Sequence, residues 1–309
     1  MGFKKYTYIG MVKRVLMQFL LIISFFTGHG QDGAHRPLFS FGVIADVQYA
    51  DVDQVGKRDY RGSIKRLEKC IEIFNAHELR FIVHAGDLID RHFESFDLPL
   101  GLFKKSRAPV HYVMGNHEFS VVDSLKINIR RLLNNERGYY SFVVENFQFI
   151  IVDAMDVSLA ASSKGSVGYQ RADSIYGTLK SKKANNAYDW NGGIGKMQLR
   201  WLKYTLDEGR ERGYKTILFS HLPLLPESGL QLWNNQEVLT LLNKYPSIVA
   251  FVSGHHHEGG YVKAGRIHHL TLKGLVESKS ESACGVIDVY QRKLEVNGFG
   301  DQLSYTLEW

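Results

Sequence analysis

Five short runs, at 39–45, 80–85, 109–114, 215–219 and 248–252, are dense in β-branched and aromatic residues and bounded by polar turns. That composition marks buried strands. Each run breaks off at groups carrying oxygen or nitrogen lone pairs. The first ends at Asp46 and Gln48. The second ends at Asp87, with Gly86 before it to let the backbone turn and Asp90 after it. The third ends at Asn116 and His117, the fourth at His221, and the fifth at His255, His256 and His257. Any one tip has an ordinary explanation as a polar turn. Five tips of the same chemistry do not share one. In open α/β sheets, ligands collect beyond the carboxyl ends of the strands. Carboxylate, amide and imidazole are the donors that divalent cations accept, and this set suffices for two cations if one carboxylate bridges them. Side chains alternate along extended backbone, so His255 and His257 are expected on one side and His256 on the other. The same rule puts Asp46 and Gln48 on one face.

Between the tips, apolar spacing at Ile64, Leu67, Ile71 and Phe74 predicts a helix over 58–74. Arg61 near its start is either a bidentate phosphate donor or an exposed helix residue. Runs at 139–145 and 148–153 predict a hairpin, and Leu199, Leu202 and Leu206 predict a helix over 197–210. Residues 157–189 lack periodicity and read as an irregular lid or a disordered stretch. The end of the chain, through 266–276, 285–290 and 293–299, reads as antiparallel strands. His84 and His111 sit inside strands and read as ordinary partly buried residues. His268, His269, Trp233, Tyr49 and Phe119 are divided between substrate contact and simple packing. No linker divides the chain, and motifs from both ends must meet in one site. Residues 36–309 are therefore read as a single domain.

Residues 1–30 differ in kind. Lys4, Lys5, Lys13 and Arg14 precede a short apolar run, and the first acidic residue is Asp32. This describes a signal peptide, with Met11 as an alternative start, and hence an exported protein; an uncleaved membrane anchor is the alternative. Those four cations supply most of the chain's net charge of +6, so its basic balance says little about the mature part. No basic stripe with interleaved aromatics supports a nucleic-acid partner. Cys70 and Cys284 read as small core residues, with one disulfide as the alternative.

The ordered set Asp46-x-Gln48, Gly86-Asp87-x-x-Asp90, Gly115-Asn116-His117-Glu118, a lone His221 and Gly254-His255-x-His257 resembles the calcineurin-like metallophosphoesterase superfamily. Gln48 stands where most members carry His. That Gln is shared by a narrower group, the manganese-dependent ADP-ribose/CDP-alcohol diphosphatases. Stretches 44–51, 190–193, 198–202, 232–234 and 254–261, with His268 and His269, are similar to it as well. The resemblance implies an α/β (α+β) four-layer sandwich, two mixed β-sheets flanked by helices. It implies that Asp46, Gln48 and His257 hold one metal, that Asn116, His221 and His255 hold another, and that Asp87 bridges both. His117 would stand near the leaving oxygen with Asp90 orienting it, and Glu118 would brace the loop. The cofactors implied are two divalent ions, Mn²⁺ first, with Fe, Zn or Mg as alternatives; an amide oxygen at position 48 is a harder ligand than imidazole. The implied substrate is a small nucleotide-type molecule: the pyrophosphate bond of ADP-ribose or a CDP-alcohol is cleaved to a nucleoside monophosphate and a phosphorylated sugar or alcohol. The alternatives are a phosphomonoesterase or phosphodiesterase on the same scaffold, and a non-catalytic metal-binding protein. No stable membrane association is expected once the leader is removed, and the oligomeric state stays open.

Overall fold

The apolar runs pair into two six-stranded sheets in the computed structural model, which describes residues 1–2 and 36–309. The predicted leader lies, but for its first two residues, outside the described residues. In chain order the first strands are β1 (Phe39–Ile44), β2 (Leu79–His84), β3 (Val110–Tyr112), β4 (Tyr140–Val144) and β5 (Phe147–Ile151). A two-residue pair, β6 (Val157–Ser158) and β7 (Gly192–Gly193), precedes β8 (Lys215–Phe219), β9 (Ile248–Ser253), β10 (Glu258–Ala264) and β11 (Ile267–Lys273). The last strands are β12 (Ala283–Val289), β13 (Lys293–Gly300) and β14 (Tyr305–Glu308). The helices are α1 (Ser63–Asn75), α2 (Asp97–Phe103), α3 (Lys126–Leu132), α4 (Val167–Ser181), α5 (Lys196–Glu211) and α6 (Asn235–Leu242).

One sheet runs β14-β13-β12-β1-β2-β3, with β1 to β3 parallel and β12 to β14 antiparallel. The other runs β10-β11-β9-β8-β5-β4, parallel through its middle and antiparallel at both edges. Strand alternation then sorts the side chains. Phe41, Val43, Phe81 and Val83 meet Phe149, Ile151 and Phe219 between the sheets. Phe41 stacks on Phe81 at 4.9 Å, and Phe81 meets Phe149 edge-on at 4.8 Å. Each such buried ring contributes about 1.5–3 kcal/mol through lost water contact. The alternate residues Ile44, Ile82, Ile150 and Leu218 face outward, where Leu67, Ile71 and Phe74 of α1 and Leu202 and Leu206 of α5 cover them. Both sheets are therefore mixed and flanked by helices, as the resemblance implies.

Four expectations need correction. Helix α1 begins at Ser63, so Arg58 and Arg61 precede it on a loop. The stretch 157–189 is not irregular throughout, because it contains α4, whose Ser166 Oγ accepts from the Tyr169 N–H at 3.1 Å. That helix buries only Ala172, so no apolar stripe announces it. Strand β11 pairs antiparallel with β10 but parallel with β9, and so belongs to the second sheet rather than to the antiparallel tail. His84 is wholly buried, with neither ring nitrogen partnered. Cys70 and Cys284 are free, buried thiols. Among the described residues no helix is long and apolar enough to cross a membrane.

Candidate metal centre and substrate cleft

The tips of β1, β2 and β3 in one sheet and of β8 and β9 in the other converge. They do so through strained backbone. Asp46, Gln48, Asp87 and His255 all take positive φ, at 53°, 43°, 60° and 67°. Non-glycine residues in this region cost of order 1–3 kcal/mol each and cluster at functional sites. This overturns the alternation argument. His255 and His257 do converge with Asp46 and Gln48, but by kinked turns rather than a pleat, and His256 lines the cleft instead of facing away. Glycine is required beside them. Gly86 has φ 95°, and a Cβ there would lie 2.5 Å from His221 Nδ1.

Asp87 sits at the centre and is fully buried. Its Oδ2 lies 3.0 Å from Gln48 Nε2 and 3.2 Å from His221 Nε2, and its Oδ1 accepts the His117 backbone N–H at 2.8 Å. His221 Nε2 is 3.2 Å from His255 Nδ1, and a potential donor atom from each of Asp87, His221 and His255 falls within 4.8 Å of the others. On the other side, His257 Nε2 lies 3.4 Å from Asp46 Oδ1 and 3.2 Å from Gln48 Nε2.

The outer nitrogens of the three rings are each given an acceptor. His221 Nδ1 faces the Ala85 carbonyl at 2.9 Å, His255 Nε2 faces Asn191 Oδ1 at 3.3 Å, and His257 Nδ1 faces Glu277 Oε1 at 2.9 Å. Asn191 is itself fixed, since its Nδ2 donates to the Asn186 and Gly229 carbonyls. With the outer nitrogen committed, each ring turns its other nitrogen inward, the arrangement that orients metal-binding histidines. Gln48 Oε1 and Asn116 Oδ1 are buried without partners, and a half-turn of the Gln48 amide exchanges its oxygen with its nitrogen. Inward imidazoles, two carboxylates and orphaned amide oxygens fit hard or borderline divalent cations.

Charge follows this geometry. Burial alone would lower His221, but the Asp87 carboxylate outweighs it and raises the ring to about 10. Burial likewise opposes His257, which Asp46 and Glu277 raise to about 9. His255 goes well below its ordinary value through burial and the neighbouring His221 charge. Burial favours a protonated Asp87, yet His221 and His117 hold it well below the carboxylate range. Metal ligands must be neutral imidazoles. Loading at pH 7.5 should therefore expel about two protons per chain, from His221 and His257, with affinity rising as the pH climbs toward 9–10. Titration calorimetry in buffers of different ionisation enthalpy reads this number; a value near zero would contradict the assignment.

His117 is set apart from the donor sets. Its Nδ1 lies 2.8 Å from the Asp90 carbonyl and 3.3 Å from Asp90 Oδ1, which leaves Nε2 free. Glu118, fully buried, accepts from the backbone N–H groups of Asp87 at 3.0 Å, Leu88 at 2.6 Å and Gly115 at 2.8 Å, so it ties the tip of β2 to that of β3.

The centre opens into a cleft of about 920 Å³, lined also by Arg58, Glu277, Lys164, Tyr169, Asp189 and Trp190. That volume is at the upper end of small-molecule sites. Arg61 is not brought to it: its guanidinium is held outside by Asp51 and Asp53, each at 2.6 Å. Arg58, three residues earlier, lines the cleft instead and donates to Glu277 at 3.3 Å. His268 is taken up by Tyr261 and the Glu308 carbonyl, and His269 packs on Phe251. Trp233 and Phe119 are core residues, so the aromatics facing the cleft are Tyr169 and Trp190.

This is the architecture of a metal-dependent phosphohydrolase. More narrowly, the chain belongs to the calcineurin-like phosphoesterase family, whose model matches residues 39–259. It is 32% identical to the manganese-dependent ADP-ribose/CDP-alcohol diphosphatase of Arabidopsis thaliana, over 86% of this chain and 95% of that protein. It is 30% identical to the protein of the same name from Homo sapiens, over 87% and 92%. A solved dimetal phosphatase from Danio rerio matches with a TM-score of 0.79 at 27% identity, covering 88% of this chain and 99% of that one.

Proposed function

We propose that this chain hydrolyses the pyrophosphate bond of ADP-ribose and CDP-alcohols, releasing a nucleoside monophosphate and a phosphorylated sugar or alcohol. The observation that carries this reading is Asp87, shared between two sets of donors on the floor of a nucleotide-sized cleft. The names of the relatives support the substrate class. Asp46, Gln48, Asp87 and His257 would hold one divalent cation, and Asp87, Asn116, His221 and His255 a second; manganese is the metal in the relatives' name. When bound, such ions supply Lewis acidity at the phosphoryl oxygens and lower the pKa of a water.

The chain's own groups do the rest. As a water oxygen bonds to phosphorus and releases one proton to solvent, the bond from phosphorus to the bridging oxygen breaks, and His117 Nε2 gives that oxygen its proton. Asp90 holds the ring for this transfer through its carbonyl and carboxylate. Arg58 takes the place foreseen for Arg61 and offsets charge on the phosphoryl oxygens, with Glu277 steadying it beside His257.

Turnover of ADP-ribose, CDP-choline and p-nitrophenyl phosphate with Mn²⁺ tests the reading; hydrolysis of the monoester alone would remove it. His117→Ala should lower diphosphate turnover by about 10²–10⁴-fold while leaving bound metal unchanged. Undiminished turnover would remove His117 as the proton donor.

A further inference from the structure

Glu277 touches both halves of the proposed machinery through a single oxygen. Its Oε1 accepts from Arg58 Nε at 3.3 Å and faces His257 Nδ1 at 2.9 Å. His257 turns its other nitrogen toward Asp46 and Gln48, and Arg58 lines the cleft. One carboxylate oxygen thus stands between the first donor set and the cation assigned to the phosphoryl oxygens.

The backbone fixes where that oxygen lies. Glu277 ends a single turn, Leu275–Glu277, that follows β11. On one side the Gly274 N–H donates to the His257 carbonyl at 3.0 Å, the Leu275 N–H to the Ala45 carbonyl at 3.1 Å and the Val276 N–H to the Asp46 carbonyl at 2.9 Å. On the other side the Arg66 guanidinium of α1 donates to the Leu275 carbonyl at 3.1 Å, the Val276 carbonyl at 3.3 Å and Asp59 Oδ2 at 3.1 Å. A Cβ at Gly274 would lie 2.7 Å from His257 Cγ, so the turn packs directly on that ring. The backbone that presents Asp46 and His257 therefore also carries Glu277. An imidazole whose outer N–H meets a carboxylate is a better oriented and more basic metal donor. An arginine already held by a carboxylate has less rotamer freedom left to lose when it grips a phosphate.

We propose that Glu277 is a positioning residue for metal and substrate together: through one oxygen it orients His257 toward a divalent cation and holds Arg58 toward the phosphoryl oxygens. The substrate half of this inference rests on the diphosphatase reading; the metal half stands without it.

The test combines calorimetric titration with Mn²⁺ and measurement of kcat and KM for ADP-ribose and CDP-choline at saturating Mn²⁺. Glu277→Ala should weaken Mn²⁺ binding by about 10–100-fold. It should also raise KM about tenfold, with a smaller change in kcat. Glu277→Gln keeps the shape and an oxygen for His257 but loses the charge facing Arg58, so it should recover more of the Mn²⁺ affinity than of the KM. Arg58→Gln should raise KM about tenfold with Mn²⁺ affinity within about threefold of wild type. Combining Glu277→Ala with Arg58→Gln should give the KM of Arg58→Gln alone, because Glu277 reaches substrate through that side chain; a merely structural loss would add to it. Thermal unfolding checks that the variants stay folded, and Glu277→Gln, nearly the same shape, serves if Glu277→Ala does not. Unchanged Mn²⁺ affinity in Glu277→Ala, or KM effects that add in the double variant, overturn the inference and leave the diphosphatase reading standing. Hydrolysis of neither compound by wild type overturns the diphosphatase reading and the substrate half with it, and the Mn²⁺ titrations then decide the metal half.

Discussion

Replacing Asp87 by alanine is expected to lower diphosphate hydrolysis by at least about 10³-fold and to reduce bound metal. This one side chain faces Gln48 and His221 through Oδ2 and fixes the His117 backbone through Oδ1. Its loss removes the shared negative charge between the two donor sets and lets the turn that presents His117 relax. It also strips buried His221 of the partner that raises its basicity. Asp87→Asn separates these effects, since it keeps the shape and the acceptor for His117 but loses the charge. Both variants should fall together in metal per chain, measured by atomic absorption, and in kcat/KM. If Asp87→Ala kept full metal and more than a tenth of wild-type turnover, the shared-carboxylate reading would be wrong.

The second large effect concerns stability. Glu118→Ala orphans three buried N–H donors, those of Asp87, Leu88 and Gly115. Each unpaired buried donor costs about 1–3 kcal/mol, so about 3–9 kcal/mol in all is expected, against a total stability of about 5–15 kcal/mol for a domain. In thermal unfolding of the metal-free protein this reads as a loss of about 10 °C. The pH dependence carries its own signature. Burial, then the Asp87 charge, pushes the Glu118 carboxyl from 4.5 up to about 8, and its N–H donors oppose this without reversing it. A raised folded-state pKa means that the stability this proton contributes is complete below pH 4.5 and is lost as the pH rises through about 8. Glu118→Gln should lose that slope between pH 4.5 and 8. An unchanged melting temperature in Glu118→Ala would show that the strand tips are held by other means.

Much of this was legible in the sequence, for a physical reason. Strands β1, β2, β8 and β9 are nearly or wholly buried along their length or at their C-terminal ends. Their apolar runs therefore stop where the site begins, and the polar residue at each stop is the one brought to the centre. Less was legible where no local pattern exists. Helix α4 has almost no buried face. Strand β10, Glu258–Ala264, has no buried residue and opens with Glu-Gly-Gly, so nothing in its composition signals a strand. Arg58 was hidden behind Arg61 because the helix starts at Ser63, which leaves both arginines on a loop whose path depends on Asp51, Asp53 and Glu277. Glu277 lies 20 residues beyond His257, in a turn after β11, and its role follows from tertiary structure alone. Asn191 did carry a signal, in the run Trp190-Asn-Gly-Gly193, but not one that indicated its role.

Asp46, Asp87 and Asn116 hang from one sheet, while His221, His255 and His257 hang from the other. An ion gripped by both groups is also a rivet through the sandwich, since the sheets cannot part without first surrendering it. At a thousandfold excess over its dissociation constant, such an ion adds about 4 kcal/mol to the resistance against unfolding. Scarcity of the ion would then shorten the lifetime of the folded chain as well as silence it, so a cell's supply of divalent cations would set the abundance of this protein together with its rate.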